Sequence, residues 1–223
     1  MRIGIIGSGH IGGTAAQLFS KAGHEVALSH AGSPDSLREQ VASLGPKAKA
    51  MTPEQAADFG SVVVLAVPWR DRDQLPKEQL RGKIVVDATN PYTPDFKLYD
   101  LGDSTSSEEV AKALPGARIV KAFNTLYADD LASRGQLRRS VGGRTALLVA
   151  GNDAHAKKVV STLIRDIGFC PVDTGTLQEG GRFQQPGSPF YTRIVTGDDA
   201  AAALARARAV AEQPAAPSES PHP

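Results

Sequence analysis

The chain has 223 residues, with 25 Lys and Arg against 24 Asp and Glu, a formal net charge of +1 and 41% hydrophobic residues. That balance gives no electrostatic reason to expect nucleic acid or a membrane surface as partner, and points to a small molecule. A single cysteine excludes an internal disulfide framework and a Cys-based zinc site, which suits a reducing cytoplasmic setting.

In chain order, residues 2–6 (Arg-Ile-Gly-Ile-Ile) predict a short strand buried on both faces, and a helical pattern over 11–21 follows at once. Between them stands Gly7-Ser8-Gly9-His10-Ile11-Gly12. In that setting G-x-G-x-x-G specifies a dinucleotide site: the glycines allow a tight turn and close approach to a pyrophosphate, and the free N–H groups of the new helix face the anion. Runs rich in Val and Ile predict further strands over 25–29, 61–67, 83–88 and 117–122, with helices over 34–44, 53–59 and 106–114. Thr52-Pro53-Glu54-Gln55 is a helix start, with Pro at the first helical position and Gln where a capping box needs it. This alternation predicts an α/β fold, a Rossmann-type doubly wound parallel sheet with helices on both faces.

A strand over 145–150, a helix over 153–167 and a strand over 168–173 predict a small C-terminal α/β extension. The expected organisation is a dinucleotide-binding Rossmann domain over 1–140, an extension contributing to the acceptor site over 141–212, and a disordered tail over 213–223, whose Pro, Ala, Ser and Glu offer nothing to bury. Within the extension, residues 175–189 are rich in Gly, Gln and Pro and read as a long ordered loop or a lid; a helix over 199–212 follows. Cys170, between Phe169 and Pro171, reads as a small core residue. No apolar run approaches the roughly 20 residues of a membrane span. The apolar opening is too short, and too soon broken by glycine, to be a signal peptide.

An NAD-type site carries an Asp or Glu at the end of the second strand to hold the ribose 2′-hydroxyl. Here that position falls on Ser29 and His30. Without the acid, a 2′-phosphate meets no repulsion, so NADP is expected ahead of NAD. No Arg or Lys stands in His30-Ala31-Gly32-Ser33; the hydroxyls of Ser29 and Ser33, loop N–H groups and His30 are the candidate phosphate partners. His24, in a turn, reads as structural.

Taken in order, Gly7-Ser8-Gly9-His10-Ile11-Gly12, Ala66-Val67-Pro68-Trp69, Asp87-Ala88-Thr89-Asn90-Pro91, Lys121-Ala122-Phe123-Asn124-Thr125 and Ala150-Gly151-Asn152-Asp153 make the chain resemble the coenzyme F420-dependent NADP reductase family over residues 1–195. The resemblance implies a Rossmann domain with a small C-terminal extension, a homodimer, and hydride transfer between NADP(H) and a deazaflavin (F420), a flavin or a related small acceptor. It also implies a phosphate loop at Ser8, Gly9, His10 and Ile11, with Val67, Pro68 and Trp69 along the cofactor. Asn90 and Pro91 would close the next strand, and Asn124 and Thr125 would lie near the nicotinamide. Two positions depart from the family pattern: His10 stands where Asn is usual, and Ala31-Gly32 where Ser-Arg is usual for the 2′-phosphate.

Hydride transfer between two bound rings needs closeness and alignment more than acid or base groups, and the sequence shows no catalytic triad and no metal-spaced cluster. For a carbonyl or imine acceptor, Lys121 and Tyr127 are the candidate proton donors; the other readings are a strand-end lysine snorkelling to solvent and a packed tyrosine at a helix start. Trp69 would either wall the nicotinamide pocket or fill the core. The stretch 179–187, with Arg182, Gln184 and Gln185, is the candidate acceptor side, or else a linker docking the last helix. Two further functions stay open: reductase of a specialised imine or carbonyl metabolite, and a nicotinamide-sensing protein without turnover.

Overall fold

The computed structural model describes residues 1–211, so the expected tail over 213–223 and the final residue of the helix expected over 199–212 lie outside the described residues. The β-branched runs form β1 (Arg2–Ile6), β2 (Glu25–Ser29), β4 (Val62–Leu65), β5 (Ile84–Asp87), β6 (Arg118–Lys121), β7 (Ala146–Gly151) and β8 (Cys170–Gly175), joined by the short β3 (Ala48–Ala50). They make one sheet in the order β3-β2-β1-β4-β5-β6-β7-β8. The first six strands pair in parallel, in the order by which a dinucleotide-binding sheet reverses its winding between β1 and β4.

The α-helices of the described residues are α1 (His10–Lys21), α2 (Arg38–Leu44), α3 (Pro53–Phe59), α4 (Lys77–Leu80), α5 (Ser106–Ala113), α6 (Ala128–Ser133), α7 (Ala154–Asp166), α8 (Glu179–Arg182) and α9 (Gly197–Ala211). The helix expected over 34–44 divides into a 3-10 turn, Pro34–Leu37, and α2. Its first turn is capped by Ser33, whose hydroxyl accepts the Asp35 N–H. At α3 both halves of the expected capping box form between Thr52 and Gln55.

Burial on both faces explains the uninterrupted apolar runs. Along β4, Val62 and Val64 enter one core with Phe19, Ile3, Val120 and Leu163, while Val63 and Leu65 enter another with Val85, Leu80, Val110 and Leu114. A third cluster, including Cys170, Leu148, Phe190 and Leu204, packs β7 and β8 against α9.

One junction reverses the sheet: β7 runs antiparallel to β6, pairing Val120 with Gly151 and Lys121 with Ala150. By that register Ala146–Val149 continue past the carboxyl end of β6, and β8 follows beside them in parallel. The two strands therefore form a wall beyond the carboxyl edge, the edge where open α/β sheets bind ligands. Among the described residues no helix is long and apolar enough to cross a membrane.

Candidate functional site

The three motif glycines do three different things. Gly7 has φ +110°, and a side chain there would run into the Ala66 carbonyl. A side chain on Gly12 would run into the Gly7 carbonyl, so this glycine lets α1 pack against the end of β1. At Gly9, by contrast, a Cβ would meet nothing within 4 Å. Gly9 is the N-cap of α1, no side chain caps that helix, and its first turn carries no acid. Its unsatisfied N–H groups and positive dipole end therefore face open space, which suits an anion. This open cradle fits the pyrophosphate of a dinucleotide. Gln40 of α2 braces the loop from outside, its Nε2 donating to the Ser8 carbonyl at 3.1 Å. It lies 32 residues from its partner in a helix without motif, so no local signal marks it.

Two cavities open on either side of this loop. The first, of 440 Å³, is lined by Gly7, Ser8 and Gly9, by His30 and Ala31 after β2, and by Val67 and Pro68 after β4. The second, of 480 Å³, is lined by His10, Ile11, Asn90, Asn124, Tyr127 and Tyr191.

At the second cavity the two asparagines lock together. Asn124 Nδ2 donates to Asn90 Oδ1 at 3.0 Å, and Asn90 Nδ2 donates to the Asn124 carbonyl at 3.1 Å. Phe123, directly before, has φ 69°, and Thr192, on the same cavity wall, has φ 58°. Both are sparsely populated conformations for such residues, of the kind found where surroundings over-determine a site. The Thr192 N–H donates to the Thr125 carbonyl at 2.8 Å, binding the segment after α8 to the segment after β6. The hydroxyls of Tyr191 and Tyr92 lie 3.5 Å apart, and burial, with Tyr92 beside it, holds the Tyr191 hydroxyl well above the usual phenol range.

Several expected site residues lie elsewhere. Trp69 is 3% exposed and its Nε1–H donates to the Ser106 carbonyl at 3.0 Å, with the Arg72 guanidinium 3.7 Å over its ring. It fills the core and does not wall the nicotinamide side. The Ser29 hydroxyl is fully buried and donates to the Ile5 carbonyl, so it is spent on the sheet and does not face a 2′-phosphate. Ser33 serves its own 3-10 turn. Pro91 and Thr125 are buried and line neither cavity.

Lys121 does not snorkel: it is 1% exposed, its Nζ donating to Asp87 Oδ2 at 3.1 Å and to the Thr89 carbonyl. Burial pushes its ammonium below the usual lysine range and Asp87 opposes that shift. Asp87 also accepts from Ser107 and from the N–H and hydroxyl of Thr89. The pair bolts β5, β6 and the start of α5 together beneath the asparagines, and Lys121 does not line the cavity. Tyr127 does line it and is 65% exposed.

The segment after β8 is also fixed to the sheet. Gln184 is fully buried; its carboxamide, oriented to satisfy its neighbours, donates to the Leu148 carbonyl and Asn124 Oδ1 and accepts the Ala150 N–H. Gln185 Oε1 accepts the Ser106 N–H at 2.9 Å, and exposed Arg182 donates to the Asp103 carbonyl. These side chains fasten the loop, and none of the three lines the second cavity; Tyr191 and Thr192, beyond the predicted stretch, are what that segment brings to it.

A glycine-cradled helix start between two cavities at the carboxyl edge of such a sheet defines a dinucleotide-binding Rossmann protein. The sequence pattern of the family described as NADP oxidoreductase coenzyme F420-dependent matches residues 2–91, and over that segment the chain is similar to the family. It is 31% identical over 179 residues to Metalloreductase STEAP3 of Rattus norvegicus, covering 79% of this chain and 34% of that protein. It is 32% identical over 138 residues to the F420-dependent NADP reductase of Methanocaldococcus jannaschii, covering 56% of this chain and 58% of that one. The chain thus spans between a third and three fifths of these curated relatives. Among solved structures, the hypothetical protein SMa0349 from Sinorhizobium meliloti superposes with a TM-score of 0.77 at 36% identity, covering 88% of this chain and 95% of that one.

Proposed function

We propose that this protein is an NADP(H)-dependent oxidoreductase that passes a hydride between the nicotinamide and a small acceptor, F420, a flavin or a related ring compound. The observation that carries the reading is the pair of cavities flanking an open glycine cradle, one lined by the residues after β2 and β4, the other by Asn90 and Asn124. A dinucleotide laid across Gly9 would put its adenosine in the first and its nicotinamide in the second. When bound, the nicotinamide supplies the hydride chemistry.

The chain supplies position. The Asn90–Asn124 pair offers a rigid carboxamide surface, held from below by the Asp87–Lys121 bolt and from the side by Gln184. Tyr127 and Tyr191 line the same cavity, and this reading assigns the acceptor to them. No side chain has to move a proton for transfer between two rings, and none at the cavity is arranged as an acid–base pair.

The same reading takes residues 141–212 as an extension contributing to the acceptor site, and a cytoplasmic homodimer as the working form. Mixing the protein with NADPH and a panel of F420, FMN and simple imines tests it. Oxidation of NADPH by F420 or FMN supports the proposal, and preferential oxidation by imines would favour the specialised reductase. Tight NADPH binding without turnover by any acceptor would favour a sensor and count against an enzyme.

A further inference from the structure

The end of β2 is where a Rossmann sheet meets the adenosine ribose, and here that end continues as His30-Ala31-Gly32-Ser33. The imidazole of His30 is held in place. Its Nε2 lies 3.1 Å from the Ser33 carbonyl oxygen and 2.8 Å from the Ser36 hydroxyl, which itself donates to that carbonyl at 2.7 Å. A carbonyl only accepts, so Nε2 carries the proton, and Nδ1 is the ring nitrogen without a hydrogen bond among the described residues.

The ring rests on Gly32, where a Cβ would come within 2.6 Å of Cε1 and 3.3 Å of Nδ1. Gly32 is not among the residues of positive φ. Its missing side chain therefore serves the imidazole and not the turn. His30 lines the 440 Å³ cavity together with the glycine loop, and neither Lys nor Arg does. Arg38, the first guanidinium after β2, is exposed and paired with Asp35 at 2.8 Å.

We infer that His30, seated on Gly32, sets the coenzyme preference: its imidazolium takes the 2′-phosphate of an NADP-type dinucleotide, so discrimination against NAD depends on pH. The inference rests on the dinucleotide reading proposed above. It explains both halves of the Ala31-Gly32 departure, since the usual arginine is absent and a side chain at Gly32 would displace its replacement. The charged groups on the surrounding elements are the Asp35–Arg38 pair, Glu54 beside Pro53 at the start of α3, and the 3-10 turn Trp69–Gln74, where cavity-lining Asp71 pairs with Arg70 at 3.8 Å and Arg72 and Asp73 follow. Histidine changes charge between about pH 5 and 8, and only a coenzyme with an anion at this position feels the change. The phosphate itself gains charge over a similar range, with a second pKa of about 6, so a variant without the imidazole is needed to isolate the contribution of His30.

The test is fluorescence titration of wild type, His30→Asn, Gly32→Ala, the double variant and Arg38→Ala with NADPH and with NADH, near both ends of the histidine range. The wild-type preference for NADPH over NADH should be about tenfold greater at the acid end, the effect of one charge-assisted hydrogen bond. His30→Asn should remove that excess and leave NADH affinity unchanged. Gly32→Ala should reproduce His30→Asn, and the double variant should lose no more than either single one. A preference that His30→Asn leaves intact, or that Arg38→Ala abolishes instead, overturns the inference. Failure of the wild type to bind either coenzyme overturns the dinucleotide reading, and this inference with it.

Discussion

Replacing Gly9 with valine should separate binding from folding. Gly9 has φ −71° and ψ −164°, ordinary extended backbone, and an added Cβ meets nothing within 4 Å. The cost to the fold is that of a poor N-cap residue, about 1 kcal/mol, or a fall of about 2–4 °C in Tm for a chain of this size. The cost to binding is larger, because the isopropyl group fills the space through which phosphate oxygens reach the first N–H groups of α1. Losing two hydrogen bonds to a charged group, at about 1.5–3 kcal/mol each, removes about 3–6 kcal/mol, so NADPH affinity should fall at least a hundredfold. Gly12→Ala should do the opposite, destabilising the fold through its collision with the Gly7 carbonyl. Thermal melts and NADPH titration of both variants measure the two effects. Unchanged NADPH affinity in Gly9→Val, or a collapse of its Tm, would refute the division of labour among the three glycines.

Lys121→Met leaves Asp87 buried without its counter-charge, so denaturant unfolding should show a loss of about 3–5 kcal/mol, and adding Asp87→Asn should recover part of it. Asn90→Ala removes one of the hydrogen bonds that orient the Asn124 carboxamide and leaves it held by Gln184 alone; steady-state kinetics should show kcat falling by up to about a hundredfold, as for a misplacement near 1 Å, with NADPH affinity less affected. His24 is held below the usual histidine range, first by burial and then by the N-terminal ammonium. The unfolded state therefore binds the extra proton first, and stability should fall as pH drops below about 6.5, by at most about 1.4 kcal/mol per pH unit. Urea titrations of wild type and His24→Asn should differ in that slope, and identical slopes would show that His24 is not its source.

The elements legible in the sequence are those with local signatures. The glycine motif, the two-faced Val and Ile runs and the Thr52–Gln55 capping box each lie within a dozen residues, and β2 and α3 fall at their expected limits. Ala48–Ala50 has neither apolar alternation nor length, and becomes a strand only because β2 offers an edge to pair with. Apart from Ser33, whose partner Asp35 is two residues away, the misread side chains depend on distant partners. Lys121 looks like a strand-end lysine until Asp87, 34 residues earlier, is placed beside it in register. Trp69 depends on the Ser106 carbonyl, and Gln184 on β7 and Asn124. Tyr191 reaches the cavity only because the antiparallel turn at β7 carries the following chain past the carboxyl edge.

A crystal structure with NADPH bound tests the central claim most directly. The pyrophosphate should lie against Gly9 and the first turn of α1, with adenosine in the 440 Å³ cavity and the nicotinamide in the 480 Å³ cavity facing Asn90 and Asn124. A dinucleotide bound elsewhere, or one whose nicotinamide leaves the Asn90–Asn124 cavity empty, would contradict the account.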